Sequence, residues 1–268
     1  MKRLMFLGDI VGRSARQAVI QQVPALKTKL ACEFLVANCE NAAGGFGVTP
    51  EICDELFAAG IDVLTTGNHV WDKSEISPYI EKERRLLRPV NMAAEFPGMG
   101  ATVVTSAGGT RCGVINVMGN LFMSQNDKAF AAIDKVLSSM KLGVDADIIM
   151  VDFHGEATSE KIAMGHYLDG RVSLVVGTHT HIPTADTRIL TAGTAYQTDA
   201  GMCGDYDSVI GMDKAVAVSR FTDTGSGRLA VAKGTPSLCG LIVDIDERGL
   251  AHAVRPFRSG GVLPETAS

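Results

Sequence analysis

Five apolar runs in this chain each end in a cluster of residue types that bind metals. Leu4–Leu7 runs into Gly8-Asp9, Phe34–Ala37 into Asn38-Cys39-Glu40-Asn41, and Val63–Leu64 into Gly67-Asn68-His69. Ile148–Val151 then leads to Asp152-Phe153-His154-Gly155, and Leu174–Val176 to Gly177-Thr178-His179-Thr180-His181. Short apolar runs bounded by turn residues read as buried strands. Five in order predict a sheet whose strand ends converge on one polar site, because ligands of open α/β sheets bind at the carboxyl ends of the strands. Carboxylate, carboxamide and imidazole gathered there make the donor set of a two-metal hydrolytic centre.

Helical patterns fall between the runs. Ser14–Leu30 has apolar residues at helical spacing, interrupted by Pro24. Thr49 fits an N-cap and Pro50 the first position of a helix reaching about Ala59, with a strand over Ile61–Thr65 after it. Lys73–Leu87 has a helical look, and Asp127–Met140 and Ser159–Leu168 read as helices. Ala101–Ser106 and Gly113–Val117 read as a hairpin around Gly108-Gly109, and Thr187–Leu190 with Thr194–Thr198 as another around Ala192-Gly193. Leu238–Ile245 and Ala251–Arg255 form a final strand pair. Residues 201–236, rich in Gly, Asp, Ser and Thr, are a candidate small cap over the strand ends. Polar clusters come from both halves of the chain, so 1–268 is expected to fold as a single domain.

Composition narrows the partners. Of 268 residues, 46% are hydrophobic and 21% charged, which suits a soluble globule. A net charge of −5 argues against general nucleic-acid backbone binding. Small or local phosphate ligands stay compatible, since a bound metal reverses the local sign of charge. No segment has the roughly 20 apolar residues of a membrane helix, and Met1–Leu7 reads as a strand, not a signal peptide. The six cysteines are scattered with no CxxC pair, so reduced, buried thiols in a cytoplasmic protein are expected.

Each cluster has an ordinary reading beside its chemical one. Asp9 at a strand end can be an N-cap, and Asn38–Asn41 can be a turn. Yet the Glu40 carboxylate can bridge two cations and Asn41 offers a neutral oxygen. Asn68 can ligate a metal while His69 faces a substrate and donates a proton to a leaving oxygen. His154 alone would be a hydrogen-bonded core histidine. His179 and His181, two apart in an extended segment, point the same way and can reach one site or two adjacent ions. His166 and His252 read as structural. The sequence has no Walker A motif, no GxGxxG fingerprint, no Gly-x-Ser-x-Gly elbow and no HExxH, which removes support for serine hydrolysis and nucleotide-driven chemistry.

The ordered set Gly-Asp, Asn-x-Glu-Asn, Gly-Asn-His, His-Gly and Gly-Thr-His-Thr-His resembles the calcineurin-like metallophosphoesterases, and more closely their YmdB-type bacterial branch of metal-dependent phosphodiesterases. Thr198-Asp199-Ala200-Gly201-Met202 is similar to that branch too. Val11 stands where the wider superfamily has a histidine and Glu40 where it has a bridging aspartate, and both departures favour the branch. The resemblance implies an α/β fold with a central β-sandwich flanked by helices. It implies a first metal held by Asp9, Glu40, Asn41 and His181, and a second by Glu40, Asn68, His154 and His179. Asn41 would replace the missing histidine ligand, and His69 would be the acid. Hard oxygen ligands mixed with imidazole suit iron or manganese, with zinc less favoured without a thiolate. The implied reaction is attack of a metal-bridging hydroxide on a small phosphodiester, a 2′,3′- or 3′,5′-cyclic nucleotide, by a homo-oligomer. A phosphomonoesterase or protein phosphatase, and a non-catalytic cyclic-nucleotide sensor, are the alternatives.

Overall fold

The computed structural model describes every residue except 125, 224, 226, 267 and 268. The chain begins with β1 (Lys2–Leu7), β2 (Asp9–Ile10), α1 (Gly12–Lys29), β3 (Phe34–Asn38), α2 (Pro50–Ala58), β4 (Val63–Thr65), α3 (Ile76–Ile80) and β5 (Leu86–Leu87). It continues through β6 (Ala101–Thr105), β7 (Arg111–Met118), α4 (Ala129–Leu137), β8 (Ile148–His154), α5 (Thr158–Leu168) and β9 (Leu174–Thr178). The last elements are β10 (Arg188–Ile189), β11 (Ala195–Gln197), β12 (Met202–Cys203), α6 (Lys214–Phe221), β13 (Leu238–Ile245) and β14 (Ala251–Ser259).

Two six-stranded sheets stack face to face. One runs β14-β13-β1-β3-β4-β5 and the other β10-β11-β9-β8-β7-β6. The five apolar runs therefore do not share one sheet. β1, β3 and β4 pair in parallel in the first, and β8 and β9 pair in parallel in the second. All five are covered on both faces, which is why they read as continuous apolar runs and not as alternating ones. Leu4, Phe6, Val36 and Val63 from one sheet meet Val114, Ile148, Met150 and Val176 from the other in the central core. The outer face of the first sheet packs on α1, α2 and α3, through Val19, Val23, Leu56 and Ile76 among others. The second packs on α4 and α5 through Ile133, Leu137, Met164 and Leu168. The result is the β-sandwich flanked by helices that the family resemblance implied.

Local chemistry explains most boundaries. Thr49 caps α2, its hydroxyl accepting from the Ile52 N–H at 3.4 Å, with Pro50 next. Pro24 lies inside α1 without ending it, contrary to the expected interruption. The helix keeps Ala15, Val19 and Val23 buried on one face, and packing of that face outweighs one lost backbone donor. Lys73–Leu87 is not one helix. α3 is a single short turn around buried Ile76 and Ile80. The Glu83 carboxylate then accepts from the Arg85 backbone N–H and side chain, each at 2.9 Å, which closes a turn and releases Leu86–Leu87 to pair with β4. Both predicted hairpins form as antiparallel pairs. Among the described residues, no helix is long and apolar enough to cross a membrane.

Candidate metal centre

The ends of β1, β3, β4, β8 and β9 meet at one edge of the sandwich. Asp9 sits in β2, paired in parallel with β12 so that Met202 lies opposite it. After β3, the Asn38 side chain accepts from the Glu40 N–H at 3.0 Å. This Asx-type turn reverses the chain and sends Glu40 and Asn41 inward, so the turn reading is met and both side chains face the cavity. Gly67 follows β4 with no room for a side chain. A β-carbon there would fall 2.2 Å from His154 Nε2 and 2.4 Å from Glu40 Oε2.

The structure brings all eight predicted site residues into this region. His154 Nε2 lies 3.1 Å from Glu40 Oε1, 3.0 Å from Asn68 Oδ1 and 3.1 Å from His179 Nδ1. Asp9 accepts from the His179 backbone N–H at 3.2 Å and lies 3.9 Å from His154 Nδ1. Asn41 donates to the Gly45 carbonyl at 2.9 Å. Glu40, Asn41, His69, His179 and His181 line a cavity of about 330 Å³, which Phe46, Ile210 and Met212 wall on the apolar side. His166 and His252 are exposed and outside it.

Four histidine rings are oriented by hydrogen bonds the sequence did not reveal. Thr178 donates its hydroxyl hydrogen to Asp152 at 2.7 Å, so it can only accept from His154 Nδ1, 2.9 Å away. That leaves His154 Nε2 facing Glu40 and Asn68. His179 Nε2 is 3.2 Å from Glu156, leaving Nδ1 inward. His181 Nδ1 donates to the Ile210 carbonyl at 2.9 Å, and His69 Nδ1 to Asp72 at 2.8 Å. A carboxylate or carbonyl on one ring nitrogen fixes which nitrogen is free to ligate or react.

The charge balance is that of an acceptor-rich pocket. Burial pushes the Asp9 carboxyl up to about 6, against the opposing charges of His181 and His154. Burial also disfavours charge on Glu40, but the adjacent His154 outweighs it and brings Glu40 down to about 2. Burial would lower His154, yet Glu40 raises it to about 9. Burial and the His154 charge together lower His179 to about 3. Two further acceptors, Asp9 Oδ1 and Asn41 Oδ1, are buried without a hydrogen-bond partner. Orphaned buried oxygens are rare in native proteins and mark a place for an ion. Glu40, His154 and His179 each offer a ligand atom within 4.8 Å of the others. The residues present fit divalent cations.

Two layers of support lie behind these side chains. Asp152 accepts from Asn38 at 3.0 Å, Thr65 at 2.5 Å and Thr178 at 2.7 Å, tying the two sheets together beneath the site. Lys161 donates to Asp199 and to the Thr178 carbonyl, each at 2.7 Å, and Asp199 also accepts from Thr180. Asp72, three residues after His69, was visible in the sequence as an i,i+3 carboxylate. Lys161 carried no such signal.

A family profile for YmdB-like proteins matches residues 5–257. The chain belongs to the YmdB-like family. It is 45% identical over 246 residues to the 2′,3′-cyclic-nucleotide 2′-phosphodiesterase of Bacillus subtilis, covering 92% of each chain. Among solved structures, a hypothetical protein from Thermus thermophilus superposes with TM-score 0.89 at 36% identity, over 97% of this chain and 99% of that one. A novel phosphatase of Mycoplasma pneumoniae superposes with TM-score 0.89 at 29% identity, over 97% and 93%. In this YmdB-like chain, Val11 packs toward the glycine segment of 201–236. A β-carbon on Gly211 would fall 2.7 Å from Val11 Cγ1.

Proposed function

We propose that this chain is a metal-dependent phosphodiesterase that opens 2′,3′-cyclic nucleotides at the 2′ bond. The observation that carries the reading is the acceptor cluster of Glu40, Asn68, His154 and His179 beside a histidine, His69, held by Asp72. The name of the Bacillus subtilis relative supports the substrate class. Asp9, Glu40, Asn41 and His181 would hold one cation, and Glu40, Asn68, His154 and His179 the other, with Glu40 shared. Bound there, divalent metals supply Lewis-acid polarisation of the phosphoryl group and acidify water. Oxygen and imidazole donors without a thiolate support iron or manganese over zinc.

The protein's own groups supply the rest. Asp72 accepts from His69 Nδ1–H and turns Nε2 toward the cavity, so that the imidazolium form, with a second proton on Nε2, can give that proton to the departing 2′ oxygen. Water adds to phosphorus, the bond to the 2′ oxygen breaks, that oxygen takes the proton, and a nucleoside 3′-phosphate leaves. Phe46 packs edge-on against His69 with ring centroids 5.0 Å apart, limiting where the imidazole can swing. Residues 201–236 act in this reading as a cap, since Ile210 and Met212 wall the cavity and the Ile210 carbonyl orients His181.

Cytoplasmic residence belongs to the same proposal, supported by six buried, unpaired thiols. So does self-association, supported by the adjacent Leu121 and Phe122, exposed at 49% and 87%. The deciding experiment loads the protein with manganese or iron and compares 2′,3′-cyclic AMP, 3′,5′-cyclic AMP and a phosphomonoester. Hydrolysis of the first to the 3′-phosphate is expected. A preference for the monoester, or release of the 2′-phosphate, would overturn the assignment.

A further inference from the structure

A second groove adjoins the metal cavity. Its volume is about 710 Å³, roughly twice that of the cavity, and Phe46 lines both. Arg13, Arg228 and Lys233 line it, and no acidic residue does among the described residues. All three cations are exposed, and among the described residues none has a carboxylate partner. On a chain of net charge −5, three exposed cations without a carboxylate partner around one groove are a local reversal of sign.

The groove is also built in a fixed relation to the cavity. Its far wall, residues 228–233, packs directly on backbone next to the site. A β-carbon on Gly12 would fall 2.5 Å from Val231 Cγ1, and one on Gly45 would fall 2.7 Å from Val231 Cγ2. The same wall is tied to the cavity side by the Asp213 N–H donating to the Ala230 carbonyl at 2.8 Å and the Ala232 N–H to the Gly211 carbonyl at 2.9 Å. Gly45 and Met212, which line the cavity, thus adjoin the segment that carries two of the groove's cations.

We infer that this groove is a second phosphate subsite, and that the substrate is the 3′ end of a short oligonucleotide carrying a terminal 2′,3′-cyclic phosphate. This inference rests on the phosphodiesterase reading. A cyclic mononucleotide has one phosphate, which the metal cavity takes, and nothing in it answers three further cations. In a longer chain the preceding phosphates continue from the 5′ oxygen of the terminal nucleotide. Arg and Lys neutralise such phosphates without reading sequence. Phe46, between the two spaces, offers a face for a base to stack on. A short chain end fits the groove, and general nucleic-acid binding is not required.

The test is direct binding to the full-length, metal-loaded protein, with His69→Ala in every sample to suppress turnover and the groove otherwise wild type, read by fluorescence anisotropy of a 5′-labelled trinucleotide ending in a 2′,3′-cyclic phosphate. Labelled adenosine 2′,3′-cyclic phosphate is the comparison. The wild-type groove is expected to bind the trinucleotide at least tenfold more tightly. Arg13→Gln with Arg228→Gln should reduce that ratio about tenfold. It should also make the dependence of log Kd on log salt shallower by about 0.7 for each phosphate no longer neutralised. Lys233→Gln alone should act in the same direction, so the reading does not hang on one double variant. Equal affinity for the two ligands with the wild-type groove, or an unchanged ratio and salt slope in both variants, would overturn the subsite. Binding that behaves as expected from a protein that, with His69 restored, hydrolyses no phosphodiester under any metal would retain the subsite and remove the catalytic reading alone.

Discussion

Lys161 and Asp199 form an ion pair, Nζ to Oδ2 2.7 Å, with both side chains only 1% exposed, directly beneath the segment that carries His179 and His181. The pair is fully bonded. Lys161 also reaches the Thr178 carbonyl, and Asp199 takes the Thr180 N–H and hydroxyl. Removing one partner of such a pair leaves a buried charge unanswered. Lys161→Met is therefore expected to lower unfolding free energy by about 3–5 kcal/mol. Urea denaturation measures this, and a change within experimental error would show that the pair is dispensable.

His69 and Asp72 make a second dyad, nearer the solvent. His69→Ala should reduce turnover of a cyclic nucleotide about 100-fold or more. Asp72→Asn should reduce it by about tenfold, since the imidazole loses orientation but stays. Metal content should hold in both, because His69 touches Glu40 only through its backbone N–H, at 3.1 Å. Steady-state kinetics beside elemental analysis separates this outcome from loss of the metals.

Gly67→Ala tests the geometry of the ligands themselves. The added methyl would lie 2.2 Å from His154 Nε2 and 2.4 Å from Glu40 Oε2, so one of them must leave its position. Bound metal per chain should fall while the fold persists by circular dichroism. Full occupancy in this variant would show that the two side chains are not ligands.

Thr178→Val probes orientation without touching a ligand. His154 Nδ1 loses its acceptor and Asp152 loses one of three donors. A weakening of metal affinity by about 10–100-fold is expected, read by competition with a chelator. Thr178→Ser, which keeps the hydroxyl, should restore most of it.

Far from the site, Arg111 grips Asp147 at 2.9 Å, and its side-chain and backbone hydrogen bonds hold the Asp147 carboxyl down to about 2. A carboxyl lowered on folding stabilises the native state above its unfolded pKa and loses that contribution as pH falls through its folded value. Wild type and Asp147→Asn should therefore differ in Tm by a constant amount above about pH 5, with the gap closing between roughly pH 4 and 2. Differential scanning calorimetry over that range checks it. A gap that widened on acidification would contradict the assignment.

The strands and the ligand residue types were legible because both depend on local pattern. β3 runs over Phe34–Asn38, one residue past the apolar run Phe34–Ala37, and Thr49-Pro50 opens α2 where cap chemistry required. The division into two sheets was not legible from the runs alone, since a strand buried on both faces reads the same in an open sheet as in a sandwich. The helical look of Lys73–Leu87 failed because a Glu83–Arg85 turn and pairing of Leu86 with Leu64 outweighed spacing. Among site groups, the sequence showed His154 but not what turns it. Thr178 and Asp152 lie in the predicted strand-end clusters with no role of their own, and their effect exists only when β8 and β9 lie side by side. Lys161 is the extreme case: a lysine on a helix is usually solvated, and only the tertiary fold buries it.

His179 and His181 both hold left-handed backbone, with φ of 96° and 67°, and not the extended segment their i, i+2 spacing implied. For residues other than glycine this conformation is unfavourable, by about 1–3 kcal/mol each. The protein therefore keeps two imidazoles in place against its own thermodynamic preference. Glycine at either position would relax the main chain while removing the ring, so an inactive descendant of this chain can be sturdier than its parent. Selection for robustness alone would tend to erase the Thr-His-Thr-His segment, and its presence marks a chain shaped by the chemistry it performs.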